Sequence, residues 1–347
     1  MTYRNKRRWR IIRDYSIGWI LASIFLSIVR GIGTIQLSYV NVDIWTSLFY
    51  SVILGPIFGC LSGVGQIFTI EYVYRRKSIQ TLLIIRIFYA VLFISVIVVV
   101  SYLIVGRAFL GLKVSLYEFA FEDGSFAIYF YLVVVDTFLT VLSYINLMLG
   151  KGKLSKLLQG KYYHPRDEER IFMFLDLQSS TKLAEKLGHI RYSMLIQDCF
   201  NDMGDVAEYE AEIYQYVGDG AILTWTLKKG VKNLNCLKAF FHFKKLLNDR
   251  MDYYLRKYDC TPVFKAGMNA GIVTVTEVGK YKKEIAYHGD TINTAARIQG
   301  MCNEFKKELL LSSELKKYLE GNEFKFEGLG NIQLRGKKEQ VEIFAVA

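Results

Sequence analysis

The stretch HGDTINTAARI (288–298) sets Asn293 and Arg297 four residues apart behind a Gly289-Asp290 turn. On a helix, that spacing puts both on one face. An amide beside a guanidinium makes a donor-rich edge suited to negatively charged oxygens, although an exposed amphipathic helix with a solvated arginine shows the same spacing. Two acids upstream bear on the choice. Asp176 closes RIFMFLD, a buried-strand pattern, and Asp219 sits at the tip of the hairpin signal YVGDGAILTW. If those strands are neighbours in one sheet, both carboxylates reach one point. Two hard oxygen ligands without His or Cys beside them suit Mg²⁺ or Mn²⁺, with phosphates and water completing the shell. Directly after Asp176 come Ser179, Ser180 and Thr181 at a helix start, where free backbone N–H groups favour phosphate. A lone GDG is usually a turn, whereas the whole ordered constellation points to phosphate chemistry.

The elements that must position these residues lie in the C-terminal half. RIFMFLD is followed by SSTKLAEKLG, a capped helix ended by Gly188, and by a second helical stretch to about residue 209. AEIYQYVGDGAILTW gives two strands joined at Gly218-Asp219-Gly220. A long helix is expected over 231–258, a strand pair over 263–279, and then the Asn/Arg helix. This β-α-β-β-α-β order suggests a ferredoxin-like α+β sandwich over residues 169–347.

The N-terminal half is of another kind. The chain has 347 residues, is 52% hydrophobic and has a mean hydropathy of +0.20, too apolar for an ordinary soluble protein. Residues 1–160 carry 16 Lys/Arg against 7 Asp/Glu, so +9 of the net +11 belongs to the apolar half. The basic excess therefore reads as membrane topology rather than as nucleic-acid binding. Apolar stretches at 16–38, 44–70, 79–105 and 125–149 are each long enough to cross a bilayer, which takes about 20 residues. An all-α transmembrane bundle over 1–150 and a linker over 151–168 are expected. Arg4, Lys6, Arg7, Arg8, Arg10 and Arg13 precede the first span. Arg75, Arg76 and Lys77 lie between the second and third, and Lys151, Lys153 and Lys156 follow the fourth. The alternate loops hold Asp43 and then Glu118, Glu122 and Asp123. Both termini and the C-terminal domain are thus expected in the cytoplasm, on a multi-pass inner or plasma membrane protein. Gly55, Gly59 and Gly63 form a small-residue stripe that packs helices either within one bundle or between two chains. Asp136 in the fourth span has Arg86 in the third as a candidate partner, for a buried ion pair or an ion-linked role. Five cysteines without CxxC spacing argue against zinc or a disulfide framework.

FLDLQSST, YVGDGAILTW, KAGMNAG and HGDTINTAARI resemble, in that order, the four signatures of class III nucleotidyl cyclases. The resemblance covers about residues 168–347. It implies a homodimer with two active sites between protomers and two Mg²⁺ or Mn²⁺ ions per site, held by Asp176 and Asp219 with the carbonyl of Leu177. It further implies that Asn293 from the other protomer orients the ribose while Arg297 neutralises the transition state. Arg335 in LRGKKE matches a basic residue that holds the terminal phosphates. The implied reaction is attack of the ribose 3′ oxygen on the α-phosphorus with loss of pyrophosphate.

Two positions depart from the family pattern. Four residues before the second metal aspartate, adenylyl cyclases usually carry Lys and guanylyl cyclases Glu; this chain has Gln215. The second base-reading position, Asp or Thr in adenylyl relatives, is Ala286. A glutamine amide pairs with adenine through N1 and the 6-amino group; cytosine offers the same order, and guanine prefers an anionic acceptor. ATP is the expected substrate, which makes the chain an adenylate cyclase. The alternatives are a guanylate or pyrimidine cyclase with the same mechanism, and a non-catalytic nucleotide-binding module of a membrane sensor. Arg297 discriminates against the last, because binding alone needs no transition-state cation beside a complete metal pair.

Overall fold

The computed structural model describes residues 3–31, 44–73, 79–109, 113, 115–121, 125–150, 152–319, 321 and 323–347; the side chains at 3, 4, 30, 31, 72, 73, 79–84, 86, 87, 105, 106, 108 and 109 lie outside that description. The chain divides into two compact units, Met1–Met148 and Leu149–Ala347.

The first unit is helical: α1 (Tyr3–Gly31), α2 (Ile44–Phe68), α3 (Ile79–Ser101), the short α4 (Leu116–Ala120) and α5 (Ser125–Leu149). Among the described residues, three helical stretches are long and apolar enough to cross a membrane, Asn5–Val29, Ile44–Glu71 and Ser125–Leu149. In the expected third span the apolar helix among the described residues is the shorter Phe88–Ile104, so four crossings are not established. The first helix starts at Tyr3, earlier than the expected span, and takes the basic run into its opening turns; Arg8 Nε donates to Glu71 at 3.0 Å. The glycine stripe packs within the chain. A Cβ on Gly59 would lie 2.3 Å from Ser16 Cα, and one on Gly55 would lie 2.8 Å from Ile20 Cα. Only glycine allows α1 and α2 that approach. Asp136 is buried on α5 and accepts a hydrogen bond from the Ser62 hydroxyl. The side chains of Arg86 and Arg4, and residues Asp43, Arg75, Arg76, Lys77, Glu122, Asp123 and Lys151, fall outside the described residues.

In the second unit, α6 (Lys153–Leu158) precedes β1 (Arg166–Leu177), α7 (Ser180–Met203), β2 (Glu212–Val217), β3 (Gly220–Thr226), α8 (Leu227–Val231), α9 (Asn235–Asp249) and α10 (Met251–Tyr258). Then come β4 (Phe264–Val278), β5 (Glu284–His288), α11 (Asp290–Gly300), β6 (Leu309–Ser312), α12 (Ser313–Lys316), β7 (Phe326–Ile332) and β8 (Val341–Val346). The sheet runs β2-β3-β1-β4-β6-β8-β7, with β5 on β4. Its first four strands, antiparallel throughout, are the expected ferredoxin-like arrangement. Alternation along β1 explains the two layers. Ile171, Met173, Leu175 and Leu177 join the core under α7, α9 and α10, while Phe172 packs on the other face with Val273, Tyr287 and Ala295 of α11. Arg170, fully buried on that second face, bonds Glu168 at 2.9 Å and Glu212 at 3.0 Å and stacks over Tyr287, tying β1, β2 and β5 together.

Three expectations are corrected. The helix after Asp176 does break at Gly188 (φ 71°), but Ser179 makes no side-chain cap and sits at φ 58° instead. The long helix over 231–258 is interrupted by positive φ at Asn233 and Leu234, and again at Arg250, where the backbone is non-helical at φ −104° and ψ 15°. Past that second break the tyrosines of α10 turn toward α7: Tyr253 and Tyr258 donate to Asp198, and Tyr254 to Asp202 at 2.6 Å. The stretch 263–279 is one strand and not a pair, because its ladder with β1 runs unbroken from Phe264 to Val275; the turn falls at Gly279 (φ 97°).

Gly267 and Gly271, which bracket the MNA of KAGMNAG, are the seat of α11. A Cβ at Gly267 would stand 2.1 Å from Gln299 N, and one at Gly271 would stand 2.7 Å from Thr291 Oγ1. Gly267→Leu should therefore destabilise this unit by about 1–3 kcal/mol or more. Urea unfolding of the full chain, followed by near-ultraviolet circular dichroism, measures this; wild-type stability in the variant would contradict the seating of α11.

Candidate functional site

Asp176 is the penultimate residue of β1, and the register Leu175↔Ala221 carries it to the start of β3. Gly220 allows the approach: a Cβ there would lie 2.5 Å from Leu175 O and 3.3 Å from Asp176 Oδ1. Asp219 occupies the turn just before, after Gly218 at φ 59°. The expected meeting of the two carboxylates is thus built by strand register. Its electrostatic cost is visible in Asp176, whose carboxyl is pushed above the usual range by burial and by the Asp219 charge, against a lowering hydrogen bond from the Leu177 N–H. Among the described residues no cluster of three or more His, Cys, Asp or Glu forms a metal cage. A divalent cation nevertheless fits what is present: two neighbouring carboxylates, one destabilised by the other, beside the main chain of Leu177.

Ser180 and Thr181 open α7 one turn beyond, Ser180 half-buried and Thr181 exposed. Tyr192 joins them, its phenol pushed up first by burial and then by the Asp219 charge. In the sequence Tyr192 is one aromatic on a helical apolar face; only the break at Gly188 hints that the face turns there. Gln215 is exposed on β2. A register shift between Ile213 and Gln215 brings it opposite Ile222, on the sheet face that Phe174 shares. Asp176, two residues beyond Phe174, alternates onto that face as well. Ala286 is half-buried on β5 opposite Thr276. Their strands meet through Tyr214 against Tyr287, with ring centroids 4.8 Å apart.

The second group gathers on α11. The buried Asn269 amide donates to Thr291 O at 3.0 Å and accepts from Ser312 Oγ at 2.6 Å, pinning the helix start to β4 and β6. Asn293 is exposed and Arg297 half-buried, with Nη1 3.7 Å from Asp290 Oδ1. Arg335 is exposed on the loop between β7 and β8. The loop cation that reaches α11 is instead Lys337, 2.8 Å from Asp290 Oδ2 and 3.1 Å from Thr294 Oγ1. Sequence reasoning passed over Lys337, although the second basic position of LRGKKE was its signal. Among the described residues, no hydrogen bond or ion pair links Asn293 or Arg297 to Asp176 or Asp219, so the two groups remain separate within one chain.

Residues 162–347 match the family described as the adenylate and guanylate cyclase catalytic domain. The chain is 32% identical over 201 residues to Adenylate cyclase 2 of Rhizobium meliloti (strain 1021), covering 57% of this chain and 55% of that protein. It is 22% identical over 185 residues to Adenylate cyclase 1 of the same organism, covering 52% of this chain and 27% of that protein. The chain thus spans about half of the first relative and about a quarter of the second. A solved bacterial light-regulated adenylyl cyclase shares the fold at TM-score 0.56 and 18% identity, over 65% of this chain and 67% of that one.

A carboxyl raised in the folded state favours folding most below its unfolded value and loses that contribution as pH rises through the folded value. Asp176 is such a group. In chelator at pH 7, Asp176→Asn should raise the Tm of the second unit, and lowering the pH should narrow the gap to wild type. Added Mn²⁺ should stabilise wild type and not the variant. A variant less stable than wild type in chelator would contradict the like-charge assignment.

Proposed function

Because this chain belongs to the adenylate and guanylate cyclase catalytic domain family over residues 162–347, we propose that it is a membrane-bound adenylate cyclase. It would convert ATP to cyclic AMP and pyrophosphate at two sites shared between the protomers of a homodimer. The observation that carries this reading is the convergence of Asp176 and Asp219 at the ends of neighbouring strands. With Leu177 O they would hold two Mg²⁺ or Mn²⁺ ions, which when bound supply Lewis-acid stabilisation of charge on the phosphates and the 3′ oxygen. Arg297 and Lys337 bring positive charge to the phosphates, with Arg335 on the same loop, and Asn293 orients the ribose. Ser180 and Thr181 offer hydroxyls and helix-start N–H groups to the same oxygens. The separation of the two groups within one chain supports a site completed by a second copy.

For the base, Gln215 stands on the face that Asp176 shares, and its amide suits adenine. The likeness to a curated adenylate cyclase favours the same substrate. The apolar helices of the first unit would span the membrane, with both termini and the catalytic unit cytoplasmic on the evidence of Lys/Arg placement. Turnover of the purified full chain with ATP, GTP, CTP and UTP separately tests the reading. ATP should be preferred, and a preference for GTP or a pyrimidine would change the substrate while keeping the cyclase.

Two further outcomes are expected. Asp219→Ala and Arg297→Ala chains, each inactive alone, should regain activity when mixed, because one of the two sites in the mixed dimer is intact. No recovery in demonstrated mixed dimers would put the whole site in one chain. Gln215→Glu replaces donor capacity with an acceptor only and should lower the ATP/GTP ratio of kcat/KM by about ten- to a hundredfold, the effect of about 1–3 kcal/mol at one base hydrogen bond. An unchanged ratio would take Gln215 out of the base site.

A further inference from the structure

Asp290, the first residue of α11, does nothing in the scheme above, yet two of its cations meet there. Asp290 Oδ2 accepts from Lys337 Nζ at 2.8 Å and from Thr294 Oγ1 at 3.1 Å, and Oδ1 lies 3.7 Å from Arg297 Nη1. Lys337 also donates to Thr294 Oγ1 at 3.1 Å. The loop that carries Lys337 is anchored behind it: Leu334 is buried against Ile298 of α11, and Lys337 N bonds Leu334 O at 3.0 Å. One carboxylate therefore fixes a loop lysine and a helix arginine that come from separate elements.

Donor counting distinguishes holding from blocking. An ammonium has three N–H donors and a guanidinium five. Lys337 uses two, on Asp290 and Thr294, which leaves one. Arg297 Nη1 is buried with no hydrogen-bond partner, and at 3.7 Å the Asp290 contact is an ion pair rather than a hydrogen bond. Both cations thus keep donors for another anion while their positions are set. The contact with Lys337 holds the Asp290 carboxyl below its usual range, so the clasp stays charged at neutral pH.

We propose that Asp290 is a positioning residue for the substrate polyphosphate: its carboxylate holds Lys337 and Arg297 at a common point and leaves donors on both for phosphate oxygens. This rests on the cyclase reading above. Cations set before the substrate arrives need no reorganisation in the transition state, so the loss of Asp290 should fall on kcat more than on folding.

The test is steady-state kinetics of the full chain with ATP and Mn²⁺, alongside thermal unfolding. Asp290→Ala should lower kcat by about ten- to a hundredfold, the effect of a small misplacement of catalytic groups, with Tm close to wild type. Asp290→Asn keeps an oxygen for Lys337 and Thr294; it should hold kcat within about threefold of wild type while lowering the KM for ATP, since two cations then face the phosphates with one less negative charge. In a Lys337→Met background, Asp290→Ala should cost less than about threefold more, because residues that act as a unit are non-additive. Wild-type kcat in Asp290→Ala, equal losses in the Ala and Asn variants, or fully additive losses in the double variant would each overturn the proposal. A wild-type chain that forms no cyclic nucleotide from any triphosphate would defeat the cyclase reading along with it, whereas an active wild type with an unaffected Asp290→Ala defeats the proposal alone.

Discussion

Two negative charges held at the ends of neighbouring strands are the constraint around which the catalytic unit is arranged. The β1/β3 register brings Asp176 beside the turn that carries Asp219, and Gly220 removes the side chain that would separate them. Burial and mutual repulsion make the pair costly when it stands alone. The alternating core beneath sustains it: Met173 and Leu175 of β1 and Leu223 of β3 are locked under α7, α9 and α10, so neither strand can slip without exposing a full apolar face. In the proposed function that stored repulsion becomes affinity for divalent cations.

The α11 group obeys a second constraint, close approach of backbone to backbone. Gly267 and Gly271 let α11 lie directly on β4, and Asn269 between them ties the first turn of the helix to two strands. The direction of Arg297 is therefore determined by a strand some thirty residues earlier. Lys337 arrives from a third element, the loop before β8, and meets Arg297 at Asp290. The α11 face is thus held by packing and polar contacts although its residues are scattered along the chain.

Features that depend on local chemistry were legible in the sequence. A continuous apolar run marked β1, Gly218-Asp219-Gly220 marked the hairpin, and the four-residue spacing of Asn293 and Arg297 marked a helix face. Features that depend on tertiary partners were not. The interruption at Arg250 follows contacts between α10 tyrosines and α7 carboxylates about fifty residues away, which no local periodicity carries. The continuity of β4 past Gly271 is imposed by its ladder with β1, against the usual meaning of a strand glycine. Neither Tyr192 nor Lys337 was singled out in the sequence, because what distinguishes them is the tertiary neighbours Asp219 and Asp290. In the first unit, the glycine stripe announced close packing but not which helix it met; Ser16 and Ile20 of α1 answer that.

The central claim is that Asp176 and Asp219 together form a divalent-cation site whose coordination shell is completed by the phosphates of a bound nucleotide. Electron paramagnetic resonance of Mn²⁺ bound to the full chain, titrated with a non-cyclisable ATP analogue, tests it most directly. The account predicts two protein-bound Mn²⁺ per bound nucleotide in wild type and a loss of both in the Asp176→Asn/Asp219→Asn chain. Equal Mn²⁺ binding in the two proteins at saturating nucleotide would contradict it.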